Sequence, residues 1–108
     1  MLRTPAVAGR FYPGDRRSLE DTLRDVTNRS EAPTGALGIV VPHAGYVYSG
    51  HVAGAVYSQL ELPDRYIILC PNHTGVGAPL AIVSSGEWQT PIGNAVVDKE
   101  LAELLKSI

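Results

Sequence analysis

Two histidines stand out because each follows the same kind of segment. Gly38-Ile39-Val40-Val41-Pro42 leads into His43, and Ile67-Ile68-Leu69-Cys70-Pro71-Asn72 leads into His73. Neutral imidazole is a good ligand for iron, zinc and copper, and two His with an acidic or thiolate third donor form a common metal site. The same pair can equally be two loop histidines making ordinary hydrogen bonds, so the spacing alone leaves both readings open. Other groups near them carry potential chemistry. Tyr46 and Tyr48 flank the loop after His43 and can orient a substrate or donate a proton, or simply pack. His51 suits a surface or cleft-lining position better than a ligand's. Cys70 with His73 makes a C-x-x-H pair, although a free Cys ending a strand is more often a small buried hydrophobe. Glu87 reads as a solvated acid, and Asn72 as a residue that shapes a turn or reaches the crevice.

The elements that must position these groups follow from the apolar pattern. Bounded aliphatic runs over 36–41 and 65–70 predict buried strands of a parallel sheet, each stopped by a proline that cannot donate to a ladder. Between them Ser49 is the expected N-cap of a helix over 50–60, whose small residues Ala53, Gly54 and Ala55 let it lie close to a neighbour. Strand, helix and strand together predict a βαβ unit with a right-handed crossover. Both histidines would then leave carboxyl ends of adjacent strands, where open α/β sheets place ligands. Elsewhere, 3–14 reads as an extended arm. Asp15 is expected to cap a helix over 16–29 that buries Leu19, Leu23 and Val26. A third strand is predicted over 80–84, a loop over 88–93 and a short strand over 95–97. Asp98 should cap a final helix with Leu101, Leu104 and Leu105 inward. The fold class expected is α/β: a mostly parallel or mixed sheet flanked by helices, in a single domain over 1–108.

Composition narrows the function classes. The 108 residues carry nine basic and eleven acidic groups, a net charge of -2, which offers no basic footprint for nucleic acid. No apolar stretch approaches the roughly 20 residues of a membrane span, and the first residues lack a signal-peptide core. One cysteine excludes an internal disulfide framework and fits a reducing cytoplasm, the expected location. Phosphate-loop readings fail: Gly45 and Gly50 have the right spacing, but His51 and Val52 stand where Lys and Ser/Thr are needed. Gly75-Val76-Gly77 lacks a third glycine, and there is no Gly-x-Ser-x-Gly elbow.

An ordered series of blocks resembles the Memo-like family, known in prokaryotes as AmmeMemoRadiSam system protein B. The blocks are Pro5-Ala6-Val7-Ala8-Gly9-Arg10-Phe11-Tyr12-Pro13, Pro42-His43-Ala44-Gly45-Tyr46-Val47-Tyr48-Ser49-Gly50 and Pro71-Asn72-His73-Thr74-Gly75. Thr90-Pro91-Ile92-Gly93 and Asp98 complete the series. The resemblance implies a fold like that of class III extradiol dioxygenases, truncated here to its amino-terminal part. It implies that His43 and His73 belong to a metal site, with iron (Fe2+) expected first and copper or zinc as alternatives. Tyr46 and His51 are then the candidate catalytic groups of the cleft. Family members run to more than twice this length, and their further site residues, an Asp, a His and a Cys, come from a part with no counterpart here. Cys70 stands where relatives usually carry glycine. The implied activity is metal-dependent redox or dioxygenase-like chemistry on an unknown substrate, in functional association with AMMECR1-like and radical-SAM proteins. The alternatives are a non-catalytic module that binds a small molecule, peptide or partner, and an inactive truncated fragment. An uncovered apolar sheet face and a free edge further predict self-association.

Overall fold

Local signals decide the helices. In the computed structural model, which describes residues 1–108, the Asp15 carboxylate accepts from the Ser18 amide at 2.9 Å and opens α1 (Arg16–Val26). This satisfies one of the free N–H groups of the first turn. Ion pairs Arg16–Glu20 and Arg24–Asp21 decorate its outer face, while Leu19 is 4% exposed on the inner one. Leu23 and Val26 are half-buried. The helix ends three residues short of the expected 29, because the Thr27 backbone turns extended while its N–H and hydroxyl both bond the Leu23 carbonyl.

The second helix, α2 (Tyr46–Ser58), begins four residues earlier than its sequence suggests. Gly45 precedes it without a side-chain cap, and Ser49 lies inside the first turn, its hydroxyl donating back to the Ala44 carbonyl at 3.1 Å. Serine back-bonding of this kind competes with capping and explains the misplaced start. Helices α1 and α2 pack through the small residues of α2. A Cβ on Gly54 would collide with the Val26 carbonyl, so glycine is required for this approach. The buried Ser58 hydroxyl closes the joint, donating to the Gly54 carbonyl at 2.6 Å and accepting from the Asn28 amide at 2.8 Å.

A small mixed sheet forms from the chain's two ends. Strand β1 (Leu2–Arg3) runs parallel to β2 (Glu87–Thr90), with Arg3 opposite Trp88, and β2 runs antiparallel to β3 (Gly93–Val96). The Arg3 guanidinium lies 4.3 Å from the Trp88 ring centre, a cation–π contact across the pair. The segment expected as a loop over 88–93 is therefore half a hairpin, turned by Pro91-Ile92. Proline suits the first central turn position, and Gly93 takes the left-handed φ of +137° that closes the turn. Finally, Asp98 caps α3 (Lys99–Lys106) through the Leu101 amide at 2.9 Å. Ala102 is the buried residue of α3, while Leu104, expected inward, is 59% exposed.

The predicted parallel βαβ core is the main departure. The chain is α/β with three helices and a three-stranded mixed sheet, but 36–41, 65–70 and 80–84 are not strands. Residues 36–43 and 62–85 make no backbone–backbone hydrogen bond. Val40, Ile68 and Leu69 are 93%, 81% and 92% exposed. A two-sided buried strand needs ladder partners at its edges and cover on both faces, and 108 residues that bury only six of their number supply neither. The radius of gyration, 15.1 Å, exceeds the roughly 13 Å of a compact chain of this length. Cys70, expected buried at a strand end, is exposed for the same reason. No helix is long and apolar enough to cross a membrane.

Candidate functional site

The two histidine segments nevertheless converge. His43 Nε2 and His73 Nε2 lie 3.1 Å apart, with ring centroids at 5.2 Å and planes tilted by 42°. Both rings are exposed at the mouth of a cleft of about 600 Å³ lined by Phe11, Pro42, His43, Ala44 and His73. Phe11 and Pro42 give the cleft apolar lining, and the two imidazoles give it nitrogen donors.

Each wall has a local cause. Pro42 restricts the backbone immediately before His43, and the Ser49–Ala44 bond ties the following residue to α2. The amino-terminal arm folds back on itself, the Gly9 amide meeting the Tyr12 carbonyl at 2.8 Å and the Phe11 amide the Val7 carbonyl at 2.9 Å. It then docks on α2: the Tyr46 amide donates to the Phe11 carbonyl at 2.7 Å, and the Tyr12 and Tyr46 rings stack obliquely at 5.6 Å. That contact delivers Phe11 to the cleft. Sequence reasoning placed Phe11 only in a packing arm. The available signal was its position in the Gly9-Arg10-Phe11-Tyr12-Pro13 block, whose turn residues fold a bulky ring back toward the body.

The other candidates fall elsewhere. Tyr46 occupies the first turn of α2, half-buried against Tyr12 and Gly50. Burial pushes its phenol above the usual value of 10.0, with Tyr12 and Tyr57 adding to the effect, so it stays protonated through neutral pH. His51 is exposed in the second turn of the same helix. Neither lines the cleft. Glu87 lies in β2, within 3.5 Å of the Asn94 amide nitrogen. No third His, Cys, Asp or Glu joins the histidine pair to make a three-donor cluster.

The pair's spacing can be tested against a metal. Two imidazole nitrogens each about 2.05 Å from one ion, subtending about 90–110° there, are about 2.9–3.4 Å apart. The observed 3.1 Å falls in that interval. The donors therefore fit as two of an ion's ligands, with the remaining positions open to water, substrate or another donor. The same distance also fits a ring-to-ring hydrogen bond, with one imidazole donating and the other accepting.

Comparison with known proteins bears on the blocks that surround the pair. The family model described as Memo-like protein matches residues 3–108. The chain belongs to the Memo-like family. A MEMO1 family protein of Thermococcus onnurineus is 44% identical over 114 aligned positions, covering 100% of this chain and 39% of the relative. One from Pyrobaculum arsenaticum is 46% identical, covering 96% of this chain and 41% of its own length, and one from Methanosarcina barkeri is 50% identical, covering 94% and 38%. This Memo-like chain thus spans about two-fifths of the length of these curated relatives. No solved structure matches it.

Proposed function

We propose that His43 and His73 of this Memo-like chain are two ligands of a divalent metal, with iron first among the candidates and copper or zinc after it. The observation that carries the reading is the 3.1 Å separation of the two Nε2 atoms at an open cleft mouth. Bound there, the metal would supply Lewis-acid and redox chemistry to a substrate held in the cleft. The chain's own residues do the rest. Phe11 and Pro42 offer apolar surface to a substrate's carbon skeleton. Tyr46 orients the arm that carries Phe11, since its amide holds the Phe11 carbonyl. His51, exposed on α2, does not line the cleft.

A second reading has an observation of its own. With no third donor beside the pair, the rings can hold each other by a hydrogen bond while the cleft captures a peptide or small molecule without chemistry. Metal analysis after anaerobic purification separates the two. The metal reading expects near-stoichiometric iron, zinc or copper in the wild type and its loss in both His43→Ala and His73→Ala. Equal trace metal in all three proteins supports the binding module and rejects the metal site.

A further inference from the structure

We propose that Asn72 is the positioning residue that aims His73 at His43. The inference deepens the proposed function and rests on it only for the metal-affinity part of its test. The loop that carries His73 has no backbone–backbone hydrogen bond of its own, and every residue from Pro71 to Gly77 is exposed. Neither a ladder nor burial fixes its shape. One side chain does. Asn72 Oδ1 accepts from the Thr74 amide at 3.1 Å, the Thr74 hydroxyl at 3.0 Å and the Gly75 amide at 3.0 Å. Its Nδ2 donates to the Val76 carbonyl at 2.8 Å, and the Val76 amide completes the ring of contacts by donating to Thr74 Oγ1 at 3.3 Å.

These bonds span the residues on both sides of His73 and make its Cα the apex of a closed turn. An asparagine amide is suited to the task because it combines an acceptor that takes several donors with a donor that reaches a carbonyl. His43 needs no such device, since Pro42 and the start of α2 hold it. The two rings are thus held by different means, and only one of them depends on a side chain that can be altered without touching a ligand or the helices. Removing the amide releases His73 while leaving His43 in place.

The test reads ring proximity in the metal-free protein. A nuclear Overhauser contact between His43 and His73 ring protons is expected in the wild type, absent in Asn72→Ala, and weakened but present in Asn72→Asp, which keeps the triple acceptor and loses the bond to the Val76 carbonyl. Zinc affinity should fall about 10- to 100-fold in Asn72→Ala, the range for residues that orient a ligand from behind. Thr74→Val, which loses only the hydroxyl's two bonds, should weaken the ring contact and serves if Asn72→Ala fails to fold. A ring contact undiminished in Asn72→Ala, or in Thr74→Val where that variant decides, overturns the proposal. So does a wild type without the contact. A contact that depends on Asn72 in a protein that binds no zinc supports the positioning role and rejects the metal reading, so the two fail separately.

Discussion

Replacing Gly54 with alanine sets two effects of opposite sign against each other, and the structure decides between them. On helix propensity alone, Gly→Ala in the middle of α2 should stabilise by about 1 kcal/mol. Against this, the new Cβ would overlap the Val26 carbonyl, a backbone atom at the end of α1 that no side-chain rotation can move. Overpacking of a tight contact costs about 1–3 kcal/mol, and a rigid obstacle belongs at the upper end. The net expectation is destabilisation by about 2 kcal/mol, which lowers the thermal midpoint by about 8–16 °C in a chain of this size. Gly50→Ala is the control. Its Cβ would meet only side-chain atoms, Tyr46 Cβ at 3.3 Å and Val26 Cγ1 at 3.8 Å, so the propensity gain should dominate and leave stability equal or higher. Thermal unfolding of both variants by circular dichroism checks this. A Gly54→Ala protein as stable as the wild type would show that the α1–α2 approach is not as close as described.

Three further expectations concern charge and exposure. Arg65 and, secondarily, the Leu101 amide hold the Asp98 carboxyl below its usual 3.8. The stabilisation it provides is therefore complete above about pH 4 and is lost as pH falls through the depressed value. Asp98→Asn keeps an α3 cap but not the charge, so its thermal midpoint should decline less than the wild type's on acidification; identical profiles would contradict this. The exposed Cys70 thiol should react with Ellman's reagent at a rate close to that of the same thiol in urea; protection under native conditions would place it in a buried strand after all. The uncovered aliphatic segments around Val40, Ile68 and Leu69 should drive concentration-dependent self-association in light scattering. A monodisperse monomer across the accessible concentrations would refute that.

What the sequence made legible divides along local and non-local lines. Asp15 and Asp98 were readable as caps because each bonds an amide three residues on, an interaction that needs nothing else of the fold. Leu19 was readable as core from helical periodicity. The strands over 36–41, 65–70 and 80–84 were not realised, because a buried strand is defined by ladder partners and cover that local sequence does not encode. The hairpin of β2 and β3 was hidden by Pro91 and Gly93, which signal a loop unless the pairing of Trp88 with Ala95 is already known. The repeated proline–histidine pattern identified the residues that share the cleft even though the ladder expected to align them is missing. Phe11 was legible only as part of its turn-rich block, since its place in the cleft depends on the arm docking against Tyr46.

Whether the two imidazoles act as one chelate is best tested by a double-mutant cycle on metal affinity, using Fe2+ under anaerobic conditions and Zn2+ alongside. Wild type, His43→Ala, His73→Ala and the double variant are titrated in parallel. A shared ion predicts that either single substitution removes most of the affinity and that the second adds little, a strongly coupled cycle. Independent, additive losses, or four equal affinities, would contradict the claim that His43 and His73 hold one metal between them.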